Sequence, residues 1–136
     1  MSIVGIGTDL CDIRRIKEVL ERQGERFAEK VLGPAELVIY RARMARRAQR
    51  GVAFLATRFA AKEAFSKALG TGMRMPMSWR ACEILPDPSG KPTVRLHGVL
   101  AEHVAARGLS ALVSVSDEKD MASATVLLQR KDPADA

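Results

Sequence analysis

The strongest helical pattern of hydrophobic and polar positions lies between residues 54 and 72. At about 100° per residue, one stripe of such a helix collects four apolar side chains: Phe54, Ala61, Phe65 and Ala68. Glu63 and Lys67 fall on the opposite side, one helical turn apart. The stretch ends in Gly70-Thr71-Gly72, where glycines permit a left-handed helix end and leave backbone N–H groups bare for an anion. The pattern predicts a central helix with a core face and, opposite, an acid beside an amine.

Two helical units are predicted before the central helix. Apolar residues follow helical spacing from Ile13 to Leu32, with a break expected at Gly24. Gly33-Pro34 ends this unit, because Pro34 suits the first turn of a new helix, which is predicted over 34–49.

A short strand is predicted at the N-terminus, over 2–8, where Ile and Val are frequent. Gly5-Ile6-Gly7 within it lacks the third glycine that a dinucleotide-binding fingerprint needs. Asp9 follows at a position suited to the start of a turn or helix, and an acidic residue just after a strand also suits a hard cation. Both interpretations of Asp9, a helix N-cap and a metal ligand, stay open here.

The second half of the chain mixes strand and helix signals. The predicted elements are strands at 79–85, 93–96, 112–115 and 122–128 and a helix over 99–107. The last two strands alternate most clearly, around a turn of charged residues at 117–120. The charged tail from Arg130 is expected to fray.

Composition adds a charge argument. The chain has 136 residues, enough for one domain, and a formal net charge of +6. This excess indicates an anionic partner, which is a nucleic acid, an acidic protein, a membrane surface or a polyphosphate ligand. Cys11 and Cys82 have neither metal-ligand spacing nor a secretory context, which favours a reduced, cytoplasmic protein. No apolar run approaches the roughly 20 residues that span a bilayer, so we expect no membrane anchor.

Two groups of basic residues carry much of the charge. Five arginines fall within ten residues: Arg41, Arg43, Arg46, Arg47 and Arg50. This density favours phosphate binding, although no aromatic residues are interleaved as on a base-stacking surface. The second group decorates the segment 13–32: Arg14, Arg15, Arg22, Arg26 and Lys30. Such a stripe is either a solvated face or a docking surface for an acidic helical partner.

Glu63 and Lys67 also have two interpretations. A Glu–Lys pair at this spacing is most often a solvated surface pair that contributes little stability. Phe59 falls on the same side, however, and a purely solvated face does not favour a phenyl ring. That coincidence indicates a cleft or a subunit contact.

The motifs taken together give the chain a family resemblance. Gly5-Ile6-Gly7-Thr8-Asp9 comes first, and residues 58–72, RFAAKEAFSKALGTG, follow. Gly90-Lys91-Pro92 and the closing segment 113–118 continue the match in order. On these residues nearly the whole chain resembles the holo-acyl-carrier-protein synthase group of 4′-phosphopantetheinyl transferases.

The resemblance implies a fold and a reaction. The fold is α+β, a small antiparallel sheet packed against a long central helix, in one domain over 1–136 and in a homotrimer with active sites between subunits. The reaction moves the 4′-phosphopantetheine group of coenzyme A to a serine of apo acyl carrier protein, with Mg²⁺, and leaves adenosine 3′,5′-bisphosphate. It serves fatty acid biosynthesis in the cytoplasm, with no part for nucleic acid or a membrane.

The resemblance also implies site residues. Asp9 and Glu63 are metal ligands, Glu63 deprotonates the acceptor serine, and Lys67 stabilises charge on the breaking pyrophosphate, which makes these three the catalytic residues. Residues that match coenzyme A contacts are Arg50, Arg58, Lys62, Gly70, Thr71, Gly72, Lys91 and Pro92, with Arg46 and Arg47 nearby. Residues that match the carrier-protein docking helix are Arg15, Arg22, Arg26, Phe27 and Lys30.

One position departs from the family pattern. Many relatives have a histidine near the end of the penultimate strand, where this chain has Asp117. A carboxylate repels a phosphate unless Mg²⁺ or an arginine intervenes, so the resemblance does not imply a direct phosphate contact for Asp117.

Two alternative functions remain. A basic nucleic-acid-binding module would explain the charge but leave Asp9 and Glu63 unexplained. A transferase acting on carrier domains of polyketide or peptide synthases would keep the chemistry, but such enzymes resemble two of these units fused.

Overall fold

The computed structural model describes residues 1–131, and residues 132–136 lie outside the description. The predicted fraying of the charged tail falls mainly on those residues and stays a prediction. Residues 1–131 contain five strands: β1 (Ser2–Asp12), β2 (Cys82–Pro86), β3 (Pro92–Leu96), β4 (Leu109–Asp117) and β5 (Met121–Arg130). They also contain five helices: α1 (Ile13–Gln23), α2 (Glu25–Val31), α3 (Pro34–Arg46), α4 (Ala48–Leu69) and α5 (Gly98–Ala106).

The strands form two antiparallel sheets. β5 lies between β1 and β4 in a three-stranded sheet, and β2 pairs with β3 in a separate hairpin. β1 carries a register shift between Ile3 and Gly5, after which its pairing with β5 runs unbroken to Asp12. Sheets and helices together give the α+β architecture that the resemblance implies.

The long helix α4 packs across one face of the three-stranded sheet. Alternate residues of β5 point at it and are buried: Ala122, Ala124, Val126 and Leu128. On α4, the stripe predicted from the spacing is buried as expected, and Ala60 and Ala64 beside it let the helix approach the sheet closely. No helix within residues 1–131 combines the length and apolarity that crossing a membrane requires.

Several predicted boundaries are confirmed. α1 and α2 are separated at Gly24, Pro34 starts α3, and Gly70 ends α4 in the left-handed region with φ 87°. A helix follows β3 and stops before Gly108, whose φ is also positive at 65°. In each case a proline or glycine signals the boundary.

Three boundaries were predicted wrongly. α3 ends at Arg46, because Arg47 is extended with φ −160°, and α4 already begins at Ala48. β1 runs on to Asp12, so the helix N-cap is Asp12 and not Asp9. The Oδ1 atom of Asp12 accepts a hydrogen bond from the backbone N–H of Arg14 at 2.9 Å. Trp79 lies before β2, in contact with Phe59, and not in the strand.

Candidate active site

The first site element is the contact between β1 and α4. Gly5 and Gly7 lie directly against the helix, where a Cβ at Gly5 would overlap the carbonyl oxygen of Ala68 and one at Gly7 that of Ala64. The two glycines therefore serve a close approach of strand and helix. This approach places Asp9, two residues on and on the same face of β1, beside the polar face of α4.

Asp9, Glu63 and Lys67 come together there. The Lys67 ammonium donates to Asp9 Oδ1 and to the carbonyl oxygen of Thr8, both at 3.0 Å. Lys67 is half exposed, and Glu63 is partly buried one turn earlier on α4. The structure thus brings the three predicted catalytic residues together from two elements that are far apart in sequence.

The Glu63 carboxylate lacks a hydrogen-bond donor among residues 1–131. Partial burial, and then the negative charge of Asp9, raise the pKa of Glu63 above its usual value, while Lys67 lowers it by less. Two carboxylates that repel each other at a partly buried position favour a bound cation. Within the described residues, no group of three or more His, Cys, Asp and Glu side chains is arranged as a metal site.

A second element is a cavity of about 210 Å³ on another face of α4. We name it the arginine cavity after Arg43, Arg50 and Arg58; its other walls include Pro86, Pro92 and Asp117. Arg58 lies over the ring of Phe54 and donates to the carbonyl oxygen of Ile84 at 3.0 Å. Burial lowers the pKa of Arg58 to about 10, so its guanidinium stays charged at neutral pH.

A larger basic concavity, about 480 Å³, adjoins the arginine cavity. It is lined by Arg43, Arg46, Arg47 and Arg50. Arg43 and Arg50 belong to both cavities, so the two form a continuous positively charged surface at the α3–α4 junction. Four arginines of the sequence cluster therefore form a surface suited to phosphate, whereas Arg41 lies apart from it and pairs with Glu25.

The structure disagrees with a ligand contact for Lys62. Lys62 is fully buried, and its ammonium bonds Glu36 Oε1, the carbonyl oxygen of Val31 and that of Trp79, which uses all three of its N–H groups. Burial lowers the pKa of Lys62, and Glu36 opposes that shift. Lys62 holds the α2–α3 connection and the segment before β2 against α4; it does not reach a ligand.

The helix end at residues 70–72 also differs from expectation. The N–H groups of Gly70 and Gly72 both bond the carbonyl oxygen of Ser66, at 3.0 and 3.2 Å. The prediction that these N–H groups are bare for an anion is therefore wrong for both glycines, because they close the end of α4 instead. Thr71 is half-buried between them.

The turn between β2 and β3 meets the arginine cavity only in part. Gly90 and Pro92 line the cavity, whereas Lys91 is exposed and is not among the residues that form its wall. Asp87 fixes the turn, since its Oδ1 accepts from the backbone N–H groups of Ser89 and Lys91. The predicted ligand contact of Pro92 thus agrees with its place on the cavity wall. The predicted ligand contact of Lys91 has no support from the lining of this cavity.

The predicted docking residues lie on α1 and α2. Phe27 is partly buried and its ring lies 6.3 Å from that of Phe59, which in turn stacks on Trp79 at 4.9 Å. The basic residues around it are all exposed: Arg15, Arg22, Arg26 and Lys30. We call Phe27, Phe59 and Trp79 the aromatic row. Because Phe59 precedes Glu63 by one turn of α4, this row leads from the basic surface toward Glu63.

The two elements of the site lie on different sides of α4. Arg58 and Glu63 are separated by about 140° around the helix axis, and Arg50 and Glu63 by a similar angle in the opposite sense. Glu63 and the arginine cavity therefore face different directions within a single chain.

Sequence reasoning missed the buried partners of the site. The Glu36 carboxylate accepts hydrogen bonds from the backbone N–H groups of Gly33 and Ile84, in addition to the Lys62 ammonium. The Glu83 carboxylate accepts from the backbone N–H groups of Ala35 and Glu36. Glu36, three residues after Gly33 at a helix start, carries a capping signal that could have found it. Nothing in the local sequence around Glu83 indicates its role.

Comparison with known proteins gives a consistent result. The sequence profile of the 4′-phosphopantetheinyl transferase superfamily matches residues 5–124. A holo-[acyl-carrier-protein] synthase of Methylibium petroleiphilum is 61% identical over 130 residues, covering 96% of this chain and 98% of the relative.

Solved structures agree. The crystal structure of the holo-[acyl-carrier-protein] synthase from Neisseria meningitidis superimposes with a TM-score of 0.86 at 38% identity, over 95% of this chain and all of the other. The enzyme from Bacillus anthracis, solved in complex with coenzyme A (3′,5′-ADP), gives a TM-score of 0.79 at 32% identity, over 95% of this chain and 98% of the other.

Proposed function

The chain belongs to the 4′-phosphopantetheinyl transferase superfamily, and we propose how its residues perform the reaction of a holo-acyl-carrier-protein synthase. The enzyme transfers the 4′-phosphopantetheine group of coenzyme A to a serine of apo acyl carrier protein. A bond forms between the serine oxygen and the β-phosphorus, and the pyrophosphate bond to adenosine 3′,5′-bisphosphate breaks. One transferase domain over 1–136 carries this reaction in fatty acid biosynthesis.

The convergence of Asp9, Glu63 and Lys67 is the observation that carries this proposal. Glu63 has a raised pKa and, among residues 1–131, no donor to its carboxylate, which suits a group that takes the proton of the acceptor serine, directly or through a water. Lys67, held by Asp9 and Thr8, brings a positive charge to the place where the leaving phosphate gains negative charge.

Mg²⁺ fits beside the same residues. Asp9 and Glu63 would hold it, with phosphate oxygens and waters as further ligands, because Mg²⁺ in phosphate sites commonly takes only one or two carboxylates. When bound, the ion neutralises charge on the pyrophosphate. Burial raises the pKa of Glu63 most, and the ion would offset the second cause, the repulsion between the two carboxylates.

Coenzyme A occupies the arginine cavity in our proposal. Arg50 and Arg58, with Arg43, meet the phosphates of its adenosine bisphosphate end, and Pro92 borders the nucleoside. Thr71, beside Gly70 and Gly72 at the end of α4, can contact the substrate through its side chain.

The basic surface of α1 and α2 receives the carrier protein. Four exposed cations there suit an acidic helical partner, and partly buried Phe27 offers an apolar contact among them. The cations are Arg15, Arg22, Arg26 and Lys30. The acceptor serine would then approach Glu63 along the aromatic row.

A homotrimer completes the site. The arginine cavity of one subunit and Glu63 of its neighbour can meet across an interface, although they face different ways within one chain. The outer face of the three-stranded sheet offers such an interface, because Ile6 pairs with Leu127 and Leu127 with Leu112 in one apolar row. Ile6 is 62% exposed and Leu112 45% exposed, so the row lacks a cover within the described chain. Light scattering should give three subunit masses, and a monomer mass would contradict this proposal.

We place the enzyme in the cytoplasm. Cys11 and Cys82 are both buried free thiols, as a reducing compartment maintains. Cell fractionation that found the protein in an oxidising compartment would overturn this placement.

The experiment that tests the proposed function is intact-mass spectrometry of apo acyl carrier protein incubated with the enzyme, coenzyme A and Mg²⁺. A gain of one 4′-phosphopantetheine group that disappears with EDTA supports both the transfer and its metal. A gain unaffected by EDTA contradicts the requirement for Mg²⁺ but not the transfer reaction. No gain with several carrier proteins contradicts the transfer.

A further inference from the structure

Asp117, the last residue of β4, is a carboxylate on the wall of the arginine cavity. It is exposed, and it forms neither an ion pair nor a side-chain hydrogen bond with any other described residue, Arg43, Arg50 and Arg58 included. Its oxygens therefore remain available to a ligand in a cavity that otherwise attracts anions.

The wall of the arginine cavity carries charges of both signs, from the arginines and from Asp117. A phosphate bound by the arginines avoids Asp117, since two like charges 4 Å apart repel by about 1 kcal/mol even in water and by more near a protein surface. Asp117 therefore suits a part of the ligand that donates hydrogen bonds and bears no phosphate.

Coenzyme A offers two such donors at its nucleoside end. The ribose 2′-hydroxyl is attached next to the carbon that carries the 3′-phosphate, so a carboxylate that accepted from it would also face that phosphate. The amino group of adenine lies at the far edge of the base. The rings of Pro86 and Pro92, together with Ala53 and Val115, give the cavity apolar walls that suit a planar base.

We propose that Asp117 accepts a hydrogen bond from the amino group of adenine and so makes the enzyme select adenine over a base without that donor. The inference rests on the proposed function, since it assumes that coenzyme A is the ligand of this cavity. Asp117 is then a specificity residue at the binding end of the substrate and takes no part in the chemical step.

The test compares coenzyme A with its analogue in which hypoxanthine replaces adenine, a nearly isosteric change from an amino donor to a carbonyl acceptor. For the unmodified enzyme, kcat/KM for transfer to apo acyl carrier protein should fall about tenfold with the analogue, as expected for one solvent-accessible hydrogen bond to a charged group. Asp117→Ala should lower kcat/KM for coenzyme A through KM and remove this preference. Glu118→Ala is the matched control, because Glu118 follows Asp117 but lies outside the arginine cavity, and it should keep the preference.

Calorimetric binding of adenosine 3′,5′-bisphosphate and inosine 3′,5′-bisphosphate gives a second reading that needs no turnover. Equal preference for adenine in the enzyme and in Asp117→Ala, by either method, overturns the inference while the transfer reaction stands. Tighter binding of adenosine 3′,5′-bisphosphate to Asp117→Ala also overturns it, because that result places Asp117 beside a phosphate. Absence of transfer with every coenzyme A analogue contradicts the proposed function instead.

Discussion

Two lysines of α4 form ion pairs with carboxylates from other elements, yet their surroundings differ. Lys62 is fully buried and bonds Glu36 and two carbonyl oxygens, so every donor has an acceptor. Lys67 is half exposed beside Asp9, and Glu63 next to it has no donor among residues 1–131. We call Lys62 and its acceptors Val31, Glu36 and Trp79 the buried group. We call Asp9, Glu63 and Lys67 the exposed group.

The difference separates a structural role from a functional one. A buried charge must be fully paired, because leaving it unpaired costs several kcal/mol. The buried group meets this condition and has nothing left to offer a ligand. The exposed group leaves the Glu63 carboxylate without a donor among residues 1–131 and close to a second negative charge, which is a state that a cation or a substrate proton can relieve.

The largest expected effect comes from Glu63→Gln, in the exposed group. We expect the transfer rate to fall about 10³-fold, because the amide cannot accept the serine proton and is a poorer metal ligand. The free energy of unfolding should stay within about 0.5 kcal/mol, since the carboxylate has no donor to lose in the part of the chain that the structure describes. Single-turnover mass spectrometry and urea unfolding measure the two quantities. A normal transfer rate would remove Glu63 from the chemistry.

Lys62→Met should have the opposite signature in the buried group. Removing the ammonium leaves Glu36 buried without its charged partner, so we expect a loss of about 3–5 kcal/mol in the free energy of unfolding. Urea unfolding at neutral pH checks this. Lys30→Met is a suitable control because Lys30 is exposed, and it should change stability by less than about 0.5 kcal/mol. Equal stability of the two variants would contradict the structural role of Lys62.

Gly7→Ala probes how the exposed group is assembled. A methyl group at residue 7 overlaps the carbonyl oxygen of Ala64, so β1 must move away from α4, at a cost of about 1–3 kcal/mol. The same movement draws Asp9 away from Lys67, and we expect transfer per folded molecule to fall as well. If stability falls and the transfer rate of the folded fraction is unchanged, the close approach does not position Asp9.

The smallest expected effect is a change in acid sensitivity. Burial raises the pKa of Glu83. The hydrogen bonds from the N–H of Glu36, the ring of His97 and the N–H of Ala35 together lower this pKa by more than burial raises it, so it lies below the ordinary 4.5 in the folded protein. The stabilisation from Glu83 is therefore present above pH 4.5 and is lost as the pH falls through the lowered pKa.

Glu83→Gln should consequently be less stable than the parent at pH 7, with a gap that narrows as the pH falls below 4.5. Urea unfolding at a series of pH values follows the gap. A gap that stays constant or widens toward acid would show that the Glu83 charge does not contribute.

Much of the fold could be predicted from sequence because its boundaries carry local chemistry. Gly24, Pro34 and Gly70 each mark the position where a helix begins or ends. The convergence of Asp9 with Glu63 and Lys67 was also predicted, although from family resemblance. Sequence spacing alone left the Glu63–Lys67 pair with two interpretations, a solvated surface pair and a cleft or subunit contact.

Lys62 shows why the rest could not be predicted. Spacing places it on α4 near residues of both the core and the polar face, and its acceptors come from Val31, Glu36 and Trp79, which only the tertiary structure brings together. The Gly70 and Gly72 N–H groups were assigned to an anion for a similar reason, since their use at the helix end depends on the geometry of that end.

The most direct test of the separation between the two groups is the transfer rate per folded molecule of Lys62→Met beside Lys67→Met. Both variants remove one ammonium from the same helix, and urea unfolding measures the folded fraction of each variant. We predict that Lys67→Met loses about 10²-fold in rate while keeping its stability, and that Lys62→Met keeps its rate per folded molecule. A Lys62→Met rate that falls as far as that of Lys67→Met would contradict the account, because it would give the buried group a part in the chemistry.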